Sequence, residues 1–276
     1  MQPSLHATYQ VSEASRELTL DLRDVAAREG PVPLALSGLD PGSRAAAISS
    51  WRDRMASEYA SARVFASLVP QAMAAGLEHG EVERLASMVT QEMDHARRCA
   101  RVLGAFDEAP VARLPVLAEV PWHEDASPLE ALLRNVISVS CCSETVAVAL
   151  VGGEREAAGT PELAAELSRI LADEVQHARF GWRLLERLGP GFDPRLRARL
   201  GAWLVSAFRH QLAFFAPFLS MDEASPAALA VGAPGGPTSF AVFVETMRTV
   251  TIPGLERHGL AAGKAWDLAV KSATLA

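Results

Sequence analysis

The two stretches that decide the fold are QEMDHARRC at residues 91–99 and DEVQHARFGW at residues 173–182. Each contains a glutamate followed three residues later by a histidine: Glu92 with His95, and Glu174 with His177. Residues three apart in a helix lie on one face about one turn apart. Each pair can therefore present a carboxylate and an imidazole to the same centre.

The apolar residues around these pairs recur at alternating spacings of three and four, which indicates amphipathic helices. Two further segments show the same period with one glutamate each, Glu58 and Glu144. The four inward stripes are Trp51, Met55, Glu58, Ala62, Phe65 and Val69; Leu85, Met88, Glu92, His95, Cys99, Val102 and Phe106; Leu133, Ile137, Cys141, Glu144, Val148 and Val151; and Leu163, Leu167, Ile170, Glu174, His177, Gly181, Leu184 and Leu188. Every stripe carries a carboxylate into an apolar seam.

Four buried glutamates require compensation, because an unpaired carboxylate in a low-dielectric interior loses several kcal/mol of solvation. The stripes contain no Lys or Arg, whereas two divalent cations would balance four carboxylates. Oxygen ligands with one imidazole per ion favour iron, with manganese or a mixed pair as alternatives. The sequence thus predicts two metal ions held by six residues. They are Glu58, Glu92, His95, Glu144, Glu174 and His177.

The rest of the chain predicts an all-α protein with a single domain over 44–276, preceded by an N-terminal arm over 1–43 and with no strands beyond the arm. The metal-binding helices occupy 49–188, and a helical extension occupies 189–276. The predicted helices are 49–76, 81–106, 128–152, 161–188, 195–219, 238–257 and 261–274. The segment 107–127 is unusually long for a helix connection. At about 60 Å when extended, it can cross the full length of a four-helix bundle.

The composition of the chain argues against nucleic-acid binding and indicates a cellular compartment. A formal charge of −7 and scattered arginines offer no basic surface for nucleic acid. Three cysteines, two of them adjacent, are a poor basis for disulfides and favour the reducing cytoplasm. The chain shows neither a signal-peptide pattern nor an uninterrupted apolar run of about 18 residues, so we expect a cytoplasmic protein without a membrane span.

The segments EYASARVF, QEMDHARRC, CCSETVAVAL and DEVQHARFGW resemble the four metal-bearing helices of ferritin-like di-iron carboxylate proteins, over residues 49–188. The resemblance implies a ferritin-like four-helix bundle with a long crossover and additional C-terminal helices. It also implies that some glutamates bridge the ions. Glu58, Glu92 and His95 would then serve mainly one ion, and Glu144, Glu174 and His177 mainly the other.

Two narrower resemblances point to different activities. DEVQHARFGW is similar to di-iron N-oxygenases, which carry an additional histidine one turn earlier, where this chain has Ile170. The order of the six ligands is also that of bacterioferritin. In related enzymes an aspartate just before the motif orients the histidine of the opposite motif, which implies that Asp173 supports His95. Gln91 holds the matching position. The alternative for Asp173 is a solvated acidic residue on the helix flank.

These observations predict a di-iron oxidoreductase that activates dioxygen to oxidise a small organic substrate. The extension after residue 188 could wall a substrate pocket, which a storage protein does not require. Expected partners are dioxygen, the substrate and an electron donor such as a reductase or ferredoxin, and a homodimer is left open. The alternative is a ferroxidase or iron-storage protein. The residues proposed to line the pocket are Ala62, Phe65, Cys99, Cys141, Val148, Ile170 and Gly181, although a cysteine in such a position is more often a small buried hydrophobe.

Overall fold

The structure, a computed structural model, describes residues 18–114 and 119–273 and is almost entirely helical. Four long helices carry the predicted ligands. They are α2 (Pro41–Ala74), α3 (His79–Ala105), α4 (Pro128–Ala157) and α5 (Pro161–Leu188). We call them the four-helix unit. The all-α prediction is confirmed for the described residues.

Shorter elements flank the four-helix unit. On the N-terminal side lie β1 (Thr19–Asp21) and α1 (Arg23–Glu29), and β2 (Val111–Arg113) falls between α3 and α4. After α5 come α6 (Pro194–Phe215), α7 (Pro226–Ala230), α8 over residues 236–257, and α9 (Ala262–Ala273). Short 3₁₀ turns at Gly189–Gly191 and Ala216–Ser220 join α5 to α6 and end α6.

Five helices begin with a capping residue followed directly by proline. In each, the cap side chain accepts a hydrogen bond from a backbone N–H of the first turn, and proline lacks the N–H that would otherwise be unpaired there. These pairs are Asp40–Pro41, Ser127–Pro128, Thr160–Pro161, Asp193–Pro194 and Ser225–Pro226. The local sequence thus fixes where α2, α4, α5, α6 and α7 start.

The polar ligands divide the interior into two apolar clusters. The arm-side core includes Met55, Cys99 and Ile170, and packs against β1, β2 and the segment that precedes α2. The C-terminal core includes Phe65 and Phe180, and continues into α6, α8 and α9. The chain passes from the arm-side core to the C-terminal core along α2, returns along α3, runs in that same direction along α4, and reverses along α5.

This up, down, down, up order requires the chain to cross the unit between α3 and α4. Phe106, at the end of α3, lies in the arm-side core, whereas Leu132, in the first turns of α4, lies in the C-terminal core. The connection therefore runs from one end to the other, as its length predicts. The expectation that strands stop at the arm is wrong, because β2 pairs antiparallel with β1 inside this crossover.

Helix α4 widens into a π-helix at Ile137–Glu144. The widened turns leave backbone carbonyls that side chains satisfy: Thr145 Oγ1 donates to Ser140 O at 3.3 Å, and Thr251 Oγ1 donates to Cys141 O at 3.3 Å. Ser143 Oγ donates to Ser138 O at 3.2 Å. Such π segments occur frequently at functional sites, and this one ends at Glu144.

Several boundaries differ from prediction. Helix α2 starts at Pro41, inside the predicted arm, and α1 also lies in the arm. Helix α6 ends at Phe215 rather than 219, and α7 forms in a segment predicted as a loop. Residues 1–17 of the arm, positions 115–118 of the crossover, and the last predicted helical residue, 274, lie outside the described residues.

One described helix, α4, is long and apolar enough to cross a membrane by length and composition. Half of its most apolar window is buried inside the protein, and it packs against α2, α5, α6 and α8. A buried central helix of a soluble protein has the same properties, so the structure is compatible with a soluble protein.

Candidate metal centre

The four-helix unit brings all six predicted residues together midway along its length. Two overlapping groups form, within each of which the possible ligand atoms all lie within 4.8 Å of one another. The first group contains Glu58, Glu92, His95 and Glu174, and the second contains Glu92, Glu144, Glu174 and His177. We call them the His95 site and the His177 site. Glu92 and Glu174 belong to both.

Both histidines turn the same ring nitrogen, Nδ1, toward the carboxylates. His95 Nδ1 lies 3.2 Å from Glu174 Oε1, 3.5 Å from Glu58 Oε2 and 3.7 Å from Glu92 Oε2. His177 Nδ1 lies 3.0 Å from Glu92 Oε1, 3.2 Å from Glu174 Oε2 and 3.9 Å from Glu144 Oε2. The two ring centroids are 5.9 Å apart, so the sites are neighbours.

These separations match what a metal ion needs. Two ligand atoms on opposite sides of an ion, each about 2.1 Å from it, are about 4.2 Å apart. Groups whose members lie within 4.8 Å reach that geometry through shifts of a few tenths of an ångström. Side-chain rotations alone can supply such shifts.

Burial of the cluster favours a cation between its carboxylates. Glu92, His95, Glu174 and His177 are almost completely buried, and Glu144 is buried, while the Glu58 side chain keeps 14% of its exposure. Two buried polar atoms that face the cluster, Glu92 Oε1 and His95 Nδ1, have close neighbours there but no hydrogen bond of good geometry. Buried polar atoms without partners are rare in folded proteins, so their position fits ligands that await a metal.

Without a cation, protons gather in the cluster. Burial, opposed by a hydrogen bond from His95 but reinforced by Glu174 and Glu92, raises the pKa of Glu58 to about 7. Burial and the same two neighbours raise the pKa of Glu144 well above its ordinary value. Burial lowers the pKa of His177, but hydrogen bonds to Glu174 and Glu92 outweigh that effect and raise it to about 9. If all four carboxylates were ionised, they would therefore carry more negative charge than the two histidines can balance.

A hydrogen-bonded chain supports the outer edges of both histidines. His95 Nε2 lies 3.3 Å from Asp173 Oδ2, and His177 Nε2 lies 3.0 Å from Gln91 Oε1. Gln91 Nε2 donates to Asp173 Oδ1 at 3.0 Å. The structure thus places Asp173 next to His95, where the resemblance implied it, and places Gln91 next to His177.

The predicted pocket residues do not form one surface. Phe65 contacts the His177 ring, with centroids 5.1 Å apart, and lies in the C-terminal core with Cys141. Cys99 and Ile170 lie in the arm-side core, on the other side of the ligands. Gly181 packs so closely that a Cβ there would lie 2.7 Å from Cys141 Sγ, and Ala62 is also buried.

Val148 departs from the predicted stripe. It is only half-buried, whereas Val146 is buried. The π-helix that ends at Glu144 adds a residue to the turn, so the residues after it are rotated relative to a regular helix. The predicted stripe is therefore interrupted at Val148, and Val151 is buried again.

The stripes predicted from sequence omit one charged pair beside the cluster. Arg54, one turn before Glu58, donates through Nη2 to Glu154 Oε1 at 2.5 Å, and its guanidinium lies over the Trp51 ring. The remaining atoms, Arg54 Nη1 and Glu154 Oε2, are buried without a partner. The i−4 spacing from Glu58 was the available signal for Arg54. Glu154 could not be found this way, because it lies on another helix.

The fold and the site together define a helical protein with a buried carboxylate and histidine cluster that could hold metal ions. Comparisons with protein-family models, with curated proteins and with solved structures found no match to this chain. The geometry of the cluster is therefore the basis on which a function can be inferred.

Proposed function

We propose that this protein is a ferritin-like di-iron oxidoreductase that activates dioxygen to oxidise a small organic substrate. The observation that carries the proposal is the pair of overlapping buried sites that share Glu92 and Glu174. Shared carboxylates suit two ions held side by side. The order of the ligands along α2, α3, α4 and α5 is the order of ferritin-like di-iron proteins.

The donor set supports iron in both sites. Each site offers three carboxylates and one imidazole without a thiolate, a combination that favours iron or manganese over the thiolate-rich sites typical of structural zinc. When bound, two ferrous ions would supply electrons for the reduction of dioxygen. An external electron donor, such as a reductase or ferredoxin, would restore the ferrous state between turnovers.

The protein's own residues would orient the ligands and control access. Asp173 and Gln91 hold the outer nitrogens of the histidines, which fixes Nδ1 toward the ions. Phe65 covers His177, and the two apolar cores exclude water above and below the ligands. Among the six residues, the Glu58 side chain keeps the largest exposed fraction. We therefore expect small molecules to reach the cluster from solvent on the side of Glu58.

The surroundings of Glu58 support oxidation of an organic substrate. The second half of α4 contacts α8, and α7 contacts both α2 and α4, so the C-terminal extension packs against two helices of the four-helix unit. The unpartnered atoms of Arg54 and Glu154 offer one donor and one acceptor there. A cage that only stores iron needs neither feature.

The test is single-turnover chemistry on the full chain. The protein is loaded anaerobically with two equivalents of Fe²⁺ and exposed to ¹⁸O₂ with a panel of small amines and aromatic and aliphatic acids. We expect rapid dioxygen uptake and ¹⁸O in an organic product or in the water formed by a coupled oxidation. His177→Ala, which removes one ligand, should abolish uptake, and Glu186→Gln on the exposed face of α5 should leave it unchanged.

Two results would contradict the proposal. If repeated Fe²⁺ additions build ferric mineral and no organic compound is oxidised, the ferroxidase alternative is correct. If the protein binds no iron and takes up no dioxygen, the cluster is not a di-iron centre.

A further inference from the structure

The hydrogen bonds behind the two histidines fix the direction of each donor. Gln91 Nε2 donates to Asp173 Oδ1 at 3.0 Å, which turns Gln91 Oε1 toward His177 Nε2 at 3.0 Å. The reverse orientation of the amide would set its oxygen against a carboxylate, which is repulsive. Both histidines therefore donate from Nε2, His177 to Gln91 and His95 to Asp173. When the rings are neutral, each would present the lone pair of Nδ1 to a metal ion in the cluster.

The two outer partners differ in charge. His95 donates to a carboxylate, whereas His177 donates to a neutral amide. A carboxylate behind a metal-bound imidazole makes the ring a better electron donor and adds negative charge near the ion. An amide orients the ring without adding charge. Asp173 thus supports His95 with a negative charge, whereas Gln91 only orients His177.

The residues that would contact the ions are the same in type and number at both sites, so they do not cancel this difference. Each site has three carboxylates and one imidazole, and two of the carboxylates, Glu92 and Glu174, are common to both. The unshared ligands, Glu58 and Glu144, are both glutamates. The partner of the histidine is therefore the clearest chemical difference between the sites.

We propose that the two sites are unequal: the His95 site binds a divalent metal ion more tightly and fills first, and Asp173 and Gln91 are the positioning residues that set this order. The inference rests on the proposed metal binding, but not on any particular reaction. Partners of this kind typically change metal affinity by about 10- to 100-fold, and we expect a difference of that size between the sites.

The experiment first measures each site separately, in variants that lack a ligand of the other site, and then transfers the carboxylate from one histidine to the other. Glu144→Ala leaves the His95 site with all its ligands, and Glu58→Ala leaves the His177 site with all of its own. Co²⁺ is the probe, because its visible absorption reports binding and a competing chelator gives the affinity. We expect Glu144→Ala to bind Co²⁺ about 10- to 100-fold more tightly than Glu58→Ala.

The deciding variant is the exchange Gln91→Glu with Asp173→Asn. It keeps the net charge, both side-chain lengths and the hydrogen bond between the two positions, but transfers the carboxylate from His95 to His177. The exchange is combined with Glu144→Ala and, separately, with Glu58→Ala, which we call the half-site variants. The order of affinity should then reverse, so that the Glu58→Ala protein binds Co²⁺ more tightly. Glu186→Gln, which removes an exposed charge from α5, is the matched control and should leave the order unchanged.

The outcomes separate this inference from the proposed function. Equal affinities in the two half-sites, or a ratio that the exchange does not change, would overturn the inference while leaving metal binding intact. Failure of the unaltered protein to bind Co²⁺, Mn²⁺ or Fe²⁺ would overturn both. Should a half-site variant fail to fold by circular dichroism, the unaltered ligand set still decides: its Co²⁺ titration should show two steps, and a single step with two equal sites would refute unequal filling.

Discussion

Glu92 and Glu174 differ from the other four candidate ligands because each lies within reach of both histidines. A carboxylate has two oxygens and can hold an ion with each. Glu92 directs Oε2 toward His95 and Oε1 toward His177. Glu174 directs Oε1 toward His95 and Oε2 toward His177. At the residue scale, these two side chains couple the sites.

Removal of a shared carboxylate should therefore affect both ions, and removal of an unshared one should affect mainly one. We expect Glu92→Ala to lower occupancy at both sites, and Glu144→Ala to lower it mainly at the His177 site. Elemental analysis after loading with excess Fe²⁺ or Mn²⁺ measures the change. The circular dichroism spectra of both variants should remain those of a helical protein, because the apolar cores are unchanged. Unchanged metal content in Glu92→Ala would contradict the assignment.

The protons held by the cluster predict how metal binding depends on pH. In the metal-free protein the pKa of Glu58 is raised to about 7 and that of His177 to about 9. Below these values each group must lose a proton before it can bind a cation. Apparent affinity should thus increase from pH 6 to pH 9, as Glu58 and His177 lose their protons.

The matching measurement is proton release. A weakly buffered solution with an indicator dye should acidify when Mn²⁺ is added near pH 7, because the metal displaces protons from the cluster. His177→Ala should release fewer protons than the unaltered protein. Affinity that is constant across this range would show that the cluster is already deprotonated without metal.

At the scale of elements, α4 and α5 meet most closely at the π-helix. Gly181 of α5 faces Ser140 and Cys141 of α4, and a Cβ at position 181 would lie 2.7 Å from Cys141 Sγ and from the Ser140 Cβ. The hydroxyl of Ser140 is buried without a partner. The absence of a side chain at Gly181 therefore lets the widened turn of α4 approach α5 and set the position of Glu144.

Gly181→Ala should separate the two helices and destabilise the protein by about 1–3 kcal/mol, the usual effect of overpacking. Gly152→Ala is the control in α4, since a Cβ there meets no atom within 4 Å. Because alanine favours helix over glycine, that variant should be neutral or more stable. Urea denaturation followed by circular dichroism measures both. Equal stability of the two variants would contradict close packing at Gly181.

At the scale of the whole molecule, a polar layer separates two apolar cores. The carboxylates of this layer repel one another unless protons or cations lie between them. A metal ion that binds only the folded state stabilises it by mass action, by about 2.7 kcal/mol at a concentration 100 times its Kd. For a chain of this size that corresponds to a rise in Tm on the order of 5 °C or more.

Addition of Mn²⁺ should therefore raise the Tm of the metal-free protein, and a chelator should reverse the change. Differential scanning calorimetry gives the shift, with Mg²⁺ as a comparison ion that prefers to keep its water. His95→Ala should show a smaller Mn²⁺ shift than the unaltered protein. A Tm that does not respond to Mn²⁺ would contradict a metal site in the folded core.

The sequence by itself determined which residues face inward along four helices. Burial of a carboxylate is so unfavourable that its appearance in phase with an apolar stripe is informative. For this reason Glu58, Glu92, His95, Glu144, Glu174 and His177 could be selected before their positions were known. The length of the segment 107–127 likewise predicted a crossover, because a short connection cannot span the unit.

Two local signals in the sequence mark helix starts that apolar periodicity alone does not reveal. Asp40–Pro41 and Ser225–Pro226 are the same kind of start that α5 has at Thr160–Pro161. They would have placed the start of α2 inside the predicted arm and found α7.

Only the tertiary structure decided which helices face each other and at what height. It paired Arg54 with Glu154, Gln91 with Asp173, and β1 with β2. It also widened α4 before Glu144, where carbonyls are satisfied from other elements, as Cys141 O is by Thr251. Helical periodicity is a property of neighbours along the chain, whereas these contacts depend on the relative shift and rotation of separate helices. No local pattern encodes that shift, and packing of the complete core sets it.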